Sequence, residues 1–419
     1  MLRKIRIAAA AFFFVLTTLL FLDFTGTLHA WFGWMAKIQF LPALLALNVG
    51  VVAFLVILTL LFGRVYCSVI CPLGVMQDIV SWASGKRRKH RNRFAYSPAL
   101  TWLRRGMLVV FVAAMLAGVG SLLAPYSAYG RIASNLLAPV YAWGNNLLAY
   151  IAGRMDSYAF YSVDVWMKSL STLLVAVVTF AVLFVLAWRS GRTYCNTICP
   201  VGTVLGFLAR YSLFKPRFDT SKCNGCKLCA RNCKASCIDP AAHKIDYSRC
   251  VVCMDCLENC RQGAITYTLR RRKPDPAPAP QRPAADAAKT PSDASRRRFL
   301  GLAGIVAYSA LRAQEKKVDG GLAVIVDKKI PNRATPVVPP GAQSLRHFNA
   351  HCTGCQLCVS VCPNQVLRPS GKLMTLMQPE MSFERGYCRP ECTKCAEVCP
   401  TGAIRFVERA VSYTHLRAH

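Results

Sequence analysis

Acidic residues are scarce in this chain. It has 20 Asp and Glu against 52 Lys and Arg in 419 residues, a formal net charge of +32. Such a balance invites a nucleic-acid reading. Much of the charge, however, lies beside apolar segments, in Lys86-Arg87-Arg88-Lys89, residues 270–273 and Arg296-Arg297-Arg298. The positive-inside rule accounts for that placement, and no nucleic-acid partner is expected. Other features are missing. There is no Cys-x-x-Cys-His, so no c-type haem is signalled. No pair of histidines lies within the apolar runs, which leaves a bis-His b-type haem unsupported. No Gly-x-Gly-x-x-Gly follows an expected strand, so nicotinamide binding is unsupported. Scattered cysteines, the mark of a disulfide scaffold, are also missing. All 21 cysteines fall in six tight groups.

Hydrophobic residues make up 54% of the chain, which points to membrane segments. The N-terminus reads Met1-Leu2-Arg3-Lys4-Ile5-Arg6 and then runs apolar over residues 7–28. A secretory signal starts this way, but no clean small-residue cleavage site follows and more apolar runs come after. It is read as a first transmembrane helix. Residues 41–62, 106–124 and 170–188 make three more, each near the ~20 residues that cross a bilayer. The expected fold class is therefore a membrane α-helical unit of four transmembrane helices.

Orientation is read from the loops. Residues 64–105 carry Arg64, Lys86, Arg87, Arg88, Lys89, Arg91, Arg93, Arg104 and Arg105. Residues 126–168 carry only Arg131, Arg154 and Lys168. The first loop and both ends of the four-helix unit are expected in the cytoplasm. The second loop is rich in Tyr and Trp (Tyr126, Tyr129, Tyr141, Trp143, Tyr150, Tyr158, Tyr161, Trp166), as expected at a membrane interface.

The chain repeats itself. Gly63-Arg64-Val65-Tyr66-Cys67-Ser68-Val69-Ile70-Cys71-Pro72-Leu73-Gly74 matches Gly191-Arg192-Thr193-Tyr194-Cys195-Asn196-Thr197-Ile198-Cys199-Pro200-Val201-Gly202. Each copy comes directly after an apolar run, so the membrane unit reads as two related hairpins. Pro72 and Pro200 suggest new helices starting there. Cys71 and Cys199 would then sit near helix N-termini, beside Arg64 and Arg192. Both influences favour thiolate and a low thiol pKa. Either the four cysteines Cys67, Cys71, Cys195 and Cys199 converge on one metal site, or they brace the membrane unit against the Cys-rich module that begins near residue 214.

The other 17 cysteines form four runs. The first pair of runs reads Cys223-x2-Cys226-x2-Cys229-x3-Cys233 and Cys250-x2-Cys253-x2-Cys256-x3-Cys260. In this pattern three close thiolates wrap one 4Fe-4S cubane and the fourth comes from the other run. One cluster is expected on Cys223, Cys226, Cys229 and Cys260, and another on Cys250, Cys253, Cys256 and Cys233. The second pair of runs repeats the logic: Cys352, Cys355 and Cys358 with Cys399, and Cys388, Cys392 and Cys395 with Cys362. Pro363 and Pro400 come after the fourth cysteines, as the pattern expects. The first pair departs from it, with Lys234 and Arg261 in the proline positions. Cys237 is an extra thiol that competes with Cys233, and spacing favours Cys233. Zinc ribbons use two short Cys pairs per metal, whereas these runs supply four each, in doubled sets. The cysteine runs thus define two small α+β modules of the bacterial 2x(4Fe-4S) ferredoxin type, with four clusters in all.

The domains are therefore expected as residues 1–213 (membrane), 214–270 (first ferredoxin module), 271–294 (a Pro/Ala-rich linker) and 295–313 (a signal-like or anchor segment). The second ferredoxin module takes residues 314–410. Residues 411–419 continue no pattern and are expected to be an artefact. Ser295-Arg296-Arg297-Arg298-Phe299-Leu300 opens an apolar stretch of about 12 residues, too short to span but suited to a signal. A short amphipathic helix is the plainer alternative.

Together these motifs resemble a known family. Residues 1–270, above all the Tyr-Cys-x3-Cys-Pro repeat, look like NapH, the membrane quinol-oxidising subunits of periplasmic nitrate reductase systems. The second half is similar to NapG or MauM, exported ferredoxins with a twin-arginine signal. The resemblance implies electrons passing from quinol through the clusters to a periplasmic reductase or cytochrome. It also implies an inner-membrane, multi-pass location with the second module periplasmic. NapG-type proteins usually carry four clusters, and this module supplies ligands for two. Related FixG/RdxA proteins imply an alternative, a factor for metal reduction or respiratory-enzyme maturation. That family's C-terminal β-sandwich is replaced here by a second ferredoxin. Quinol oxidation needs a proton acceptor, and Asp23 and His29 at the end of the first apolar run are the candidates.

Overall fold

The computed structural model describes residues 1–87, 94–117, 123–157, 159–165, 168–269, 335–372, 375–384, 386–389 and 391–407. The expected linker, signal-like segment and tail lie outside these residues. The chain divides into two compact units. One comprises residues 1–141, 169–270 and 329–419. The other comprises residues 142–168 and 271–328. Within the second unit, Asn146 pairs twice with the Val163 backbone at 2.8 Å.

Helix α1 (Leu2–Leu22) is apolar after Arg3 and Arg6. It ends at Asp23, whose carboxylate accepts from the backbone N–H groups of Thr25, Gly26, Leu28 and His29. Those bonds turn the chain into α2 (Thr27–Phe32), followed by α3 (Trp34–Lys37) and α4 (Phe40–Leu45). Leu47 at φ 53 breaks the run, and the Asn48 side chain caps α5 (Val49–Phe62). Then come α6 (Val65–Val69), α7 (Pro72–Arg87), α8 (Thr101–Leu116) and α9 (Pro125–Ile132). A π-helical turn, Ala133–Leu137, leads into α10 (Ala138–Arg154). After α11 (Leu170–Ser190), the short α12 (Thr193–Thr197) and α13 (Pro200–Ala209) repeat α6 and the start of α7. The prolines at 72 and 200 do open helices, as the sequence suggests.

Four transmembrane helices were expected; among the described residues two are long and apolar enough to cross a membrane, α1 and α11. Each has 21 residues, about 31 Å of helix, against a hydrocarbon core of ~30 Å. The second expected span is divided at Leu47 and Asn48, leaving 14 residues in α5. The third is the 16-residue α8, whose Arg104 is buried with its guanidinium on Ser248. The loop reading also changes. Arg64 and Arg104, counted among the cations of the first loop, are buried, and Tyr126 and Tyr129, read as interfacial, belong to the wholly buried α9.

Helix α11 packs on α7 and α9, and α1 packs on α6 and α7. The first Cys-rich module attaches to the end of α5. Leu213 N–H donates to the Leu60 carbonyl, and the Tyr267 hydroxyl donates to the Phe62 carbonyl. In this module β1 (Phe214–Phe218) pairs antiparallel with β4 (Ile265–Leu269), and β2 (Ile238–Asp239) with β3 (Lys244–Ile245). The short helices α14 (Leu228–Arg231) and α15 (Asp255–Asn259) carry the third cysteine of each run. The second module has α16 (Leu345–His351), α17 (Leu357–Ser360), a β5 (Leu367–Pro369) and β6 (Pro379–Met381) hairpin, and α18 (Lys394–Glu397).

Candidate iron–sulfur centres

The repeat folds into a crossed clasp. Arg64 and Arg192 stand at the same place in the two copies, and both are fully buried. Each reaches into the other copy. Arg64 donates to the Cys195 carbonyl at 3.2 Å and to Asn196 Oδ1 at 2.9 Å. Arg192 donates to the Cys67 carbonyl at 2.6 Å. Arg192 also forks onto both Asp78 oxygens, at 2.9 and 2.7 Å. Buried guanidinium groups need such saturation, because an unpaired charge in the interior is costly. The motif's arginine therefore fixes the cysteine loop of the opposite copy.

The clasp gathers four thiols. Cys67, Cys71, Cys195 and Cys199 are all buried, and each lies within electrostatic reach of the other three. The four thiols are near one another, and the same loops also brace the first Cys-rich module. The expected low thiol pKa does not hold. Burial pushes the Cys71 thiol up to about 12 and raises Cys195 and Cys199. The helix-start hydrogen bonds act in the expected direction, for example Gly202 N–H to Cys199 Sγ at 3.3 Å, but desolvation outweighs them. These are not free reactive thiols. A cationic centre held there would offset the burial and favour the thiolates.

The first module presents two cavities. One is lined by Cys223, Cys226, Cys229 and Cys260. The other is lined by Cys233, Cys237, Cys250, Cys253 and Cys256, and both open partly to solvent. The two sets match the two ligand sets read from the ladder. Cys237 stands beside Cys233, with the sulfurs 3.5 Å apart, so both thiols reach the second cavity. In the second module, Cys358 lies within reach of Cys352, Cys355 and Cys399. Cys395 lies within reach of Cys362, Cys388 and Cys392. Among the described residues no three His, Cys, Asp or Glu side chains close on a single metal ion. The doubled four-cysteine runs around these two cavities are the ligand supply of two cubanes rather than of a zinc ribbon.

Sequence reasoning missed what joins the first module to the repeat. Lys234, standing where proline was expected, sends its ammonium to Asp78 at 3.6 Å and to Asp255 at 3.1 Å. Asp255 in turn pairs with Arg3 at 2.8 Å, and Asp78 with Arg6 at 3.0 Å. The Lys234 carbonyl accepts from Arg192 N–H at 2.9 Å. Gly191 permits that approach: it holds φ +68, and a Cβ there would stand 2.6 Å from the Lys234 oxygen. The departure from proline was itself the available signal. Gly63 of the first copy likewise sits so close that a Cβ there would stand 2.9 Å from Val252, and because Lys234 and Val252 flank the second cavity's cysteines, it is this cavity that faces the clasp.

The second module meets α9 and the end of α1. A Cβ on Gly130 would lie 2.5 Å from the Cys355 carbonyl, and Asn135 Nδ2 donates to Gln356 Oε1 at 2.9 Å. Lys394 Nζ donates to the Thr25 carbonyl at 3.0 Å. Nearby, Asp23 and His29 do come together, Oδ2 to Nδ1 at 3.3 Å. Both side chains are at least nine-tenths buried, and His29 Nε2 has no hydrogen-bond partner among the described residues.

Comparison with known proteins agrees with this chemistry. A family model described as a 4Fe-4S binding domain matches residues 44–90 and 172–221, the two copies of the repeat. One described as a 4Fe-4S dicluster domain matches residues 351–403. The chain carries 4Fe-4S binding domains and is similar to ferredoxin-type and electron transport proteins. Among particular proteins, it is 29% identical over 195 residues to the ferredoxin-type protein NapH of Escherichia coli, covering 46% of this chain and 55% of that one. It is 28% identical over 172 residues to the methylamine utilization ferredoxin-type protein MauN of Paracoccus denitrificans, covering 41% and 48%. It is 25% identical over 214 residues to the uncharacterized protein MJ0749 of Methanocaldococcus jannaschii, covering 51% and 68%. The chain thus spans about half the length of NapH and MauN and two thirds of the third. No solved structure matches.

Proposed function

We propose that the chain sits in the inner membrane, takes electrons from quinol and passes them to a periplasmic reductase or cytochrome. The four ladder sets hold four 4Fe-4S clusters, and the clasped thiols Cys67, Cys71, Cys195 and Cys199 hold a further one. When bound, such clusters supply one-electron transfer. The observation that carries the quinol reading is the Asp23–His29 pair, buried beside the Lys394 loop of the second module.

Burial alone would raise the Asp23 carboxyl. The His29 ring and the Thr25 and Gly26 donors overcome it and hold it well below the usual carboxylate range. Asp23 therefore stays an anion and is not itself the proton acceptor. It takes the Nδ1–H of His29, which leaves the Nε2 lone pair for a quinol hydroxyl. Oxidation to quinone releases two protons and two electrons. His29 takes the protons in turn at Nε2, with Asp23 stabilising the imidazolium, and returns each to water. Positioned general bases contribute typically 10²–10⁴-fold.

Helix α1 supports placing the modules on opposite sides. Its start binds the first module through Arg3 with Asp255 and Glu258, and the second module touches Thr25 beyond its other end. The exported second half would then be NapG-like or MauM-like. The test is reduction of the purified, cluster-loaded protein by a menaquinol analogue, read by visible absorbance. Quinol should bleach the clusters, and H29A should slow this at least tenfold. Clusters that dithionite bleaches but quinol leaves oxidised would refute the quinol reading.

A further inference from the structure

Of the 21 cysteines, only Cys226 is exposed. It lies on the lip of the first module's first cavity, with Cys223, Cys229 and Cys260. This is the pole of the module that faces away from the clasp, since the other cavity meets the clasp. Cations surround it. Lys222, Lys227, Arg231, Lys244 and Arg261 are all exposed. Each lines the cavity or stands within two residues of a side chain that does. Lys222 precedes Cys223, Arg231 comes two residues after Cys229, Lys244 is next to His243, and Arg261 lies between Cys260 and Gln262.

One nearby carboxylate, Asp219, offsets the rim's Lys222, and the others are engaged elsewhere. Asp219 is used by Lys222 at 3.5 Å and by Ser221. Asp239 accepts from the backbone N–H groups of Ala241 and Ala242. Asp246 is taken by Arg249 at 2.8 Å, Asp255 by Arg3 and Lys234, and Glu258 by Arg3. Of the module's other cations, Lys234 is spent on Asp78 and Asp255, Arg249 on Asp246, and Lys215 over the Tyr247 ring. The rim cations Lys227, Arg231, Lys244 and Arg261 therefore surround the one cysteine of the chain that is exposed.

We propose that this pole is the docking surface for a soluble, acidic electron-transfer protein, which exchanges single electrons with the chain at the Cys226 lip. The proposal rests on the electron-transfer role and is independent of the quinol reading. Complementary charge speeds encounter and orients the partner, and it makes association fall steeply with salt.

The test uses the cluster-loaded full chain in detergent, immobilised, with a small acidic ferredoxin as probe and basic cytochrome c as control. The acidic probe should bind at low salt and weaken at least tenfold between about 20 and 200 mM salt, roughly a change in Debye length from 20 to 7 Å. The variant R231E/K244E/R261E, whose three residues do not line the cavity, should weaken binding at least tenfold. Its iron content and melting temperature should be unchanged. A single K244E variant should lose a smaller part of the affinity, which guards against misfolding of the triple one. Equal binding of acidic and basic probes would overturn the proposal. So would unchanged affinity in a well-folded triple variant, or a rim that binds phosphatidylglycerol vesicles and no acidic protein. If quinol fails to bleach the clusters yet the acidic probe binds as stated, the quinol reading alone falls.

Discussion

Asp78 is the point on which the membrane repeat and the first ferredoxin module both lean. Its two oxygens take the Arg192 fork at 2.9 and 2.7 Å, Arg6 at 3.0 Å and Lys234 at 3.6 Å. Substituting D78N leaves one acceptor oxygen and turns an amide toward a fully buried guanidinium. Arg192 would retain the Cys67 carbonyl and at most one bond to residue 78, in place of the two-pronged fork. Breaking a buried ion pair by removing one partner costs about 3–5 kcal/mol. At ~2–4 °C per kcal/mol, the melting temperature should fall on the order of 10 °C. The assay is thermal unfolding in detergent, read by tryptophan fluorescence and cluster absorbance together. The effect has a defined pH dependence. Burial would raise the Asp78 carboxyl, but Arg192, Lys234 and Arg6 hold it far below the usual range. A depressed folded-state value means the contribution is full above the unfolded value of about 3.9 and fades as pH falls toward the folded one. The gap between wild type and D78N should be flat down to about pH 5 and narrow below about pH 4. A D78N protein melting within about 2 °C of wild type at neutral pH would refute the reasoning.

The same contacts predict other outcomes. G191A forces a Cβ to 2.6 Å from the Lys234 carbonyl at φ +68, and should cost at least ~1–2 kcal/mol and open the first module to limited proteolysis. R192K keeps the charge but loses the fork onto Asp78, and should melt lower than wild type while R189K, on an exposed arginine, does not. C237S should retain the iron of wild type, whereas C233S should lose iron; the reverse result would move the ligand to Cys237. H29A should slow quinol-dependent bleaching while leaving dithionite bleaching intact, and equal slowing of both would point to a structural defect.

The ferredoxin ladders were legible because their information is local. Three cysteines two residues apart dictate a loop around one centre, and the doubled run dictates the crossing of the fourth ligand. The repeat was legible as a repeat, but its meaning lay in contacts 125 and 131 residues apart, Arg192 to Cys67 and Arg64 to Cys195. Spacing carries no record of such a crossing. The same limit hides which loop cations are buried. Arg64 and Arg104 count as loop cations in a sequence, but their guanidinium groups are consumed inside, on Asn196 and Ser248. Tyr126 and Tyr129 looked like an interfacial belt for the same reason. Apolar periodicity also overstated the spans, because Leu47 at φ 53 and the Asn48 cap end a run whose hydropathy continues. The low thiol pKa failed because helix position can be read from sequence and burial cannot.

The central claim is that clasped and laddered cysteines together hold iron–sulfur clusters. Iron and acid-labile sulfide counted per chain, in wild type and in the C67S/C71S/C195S/C199S variant, test it most directly. Four ladder clusters and a fifth on the clasp predict about 20 irons per wild-type chain, falling to about 16 in the variant. An equal count in the two proteins would contradict the clasp as a cluster site, and zinc in place of iron would contradict the iron–sulfur assignment as a whole.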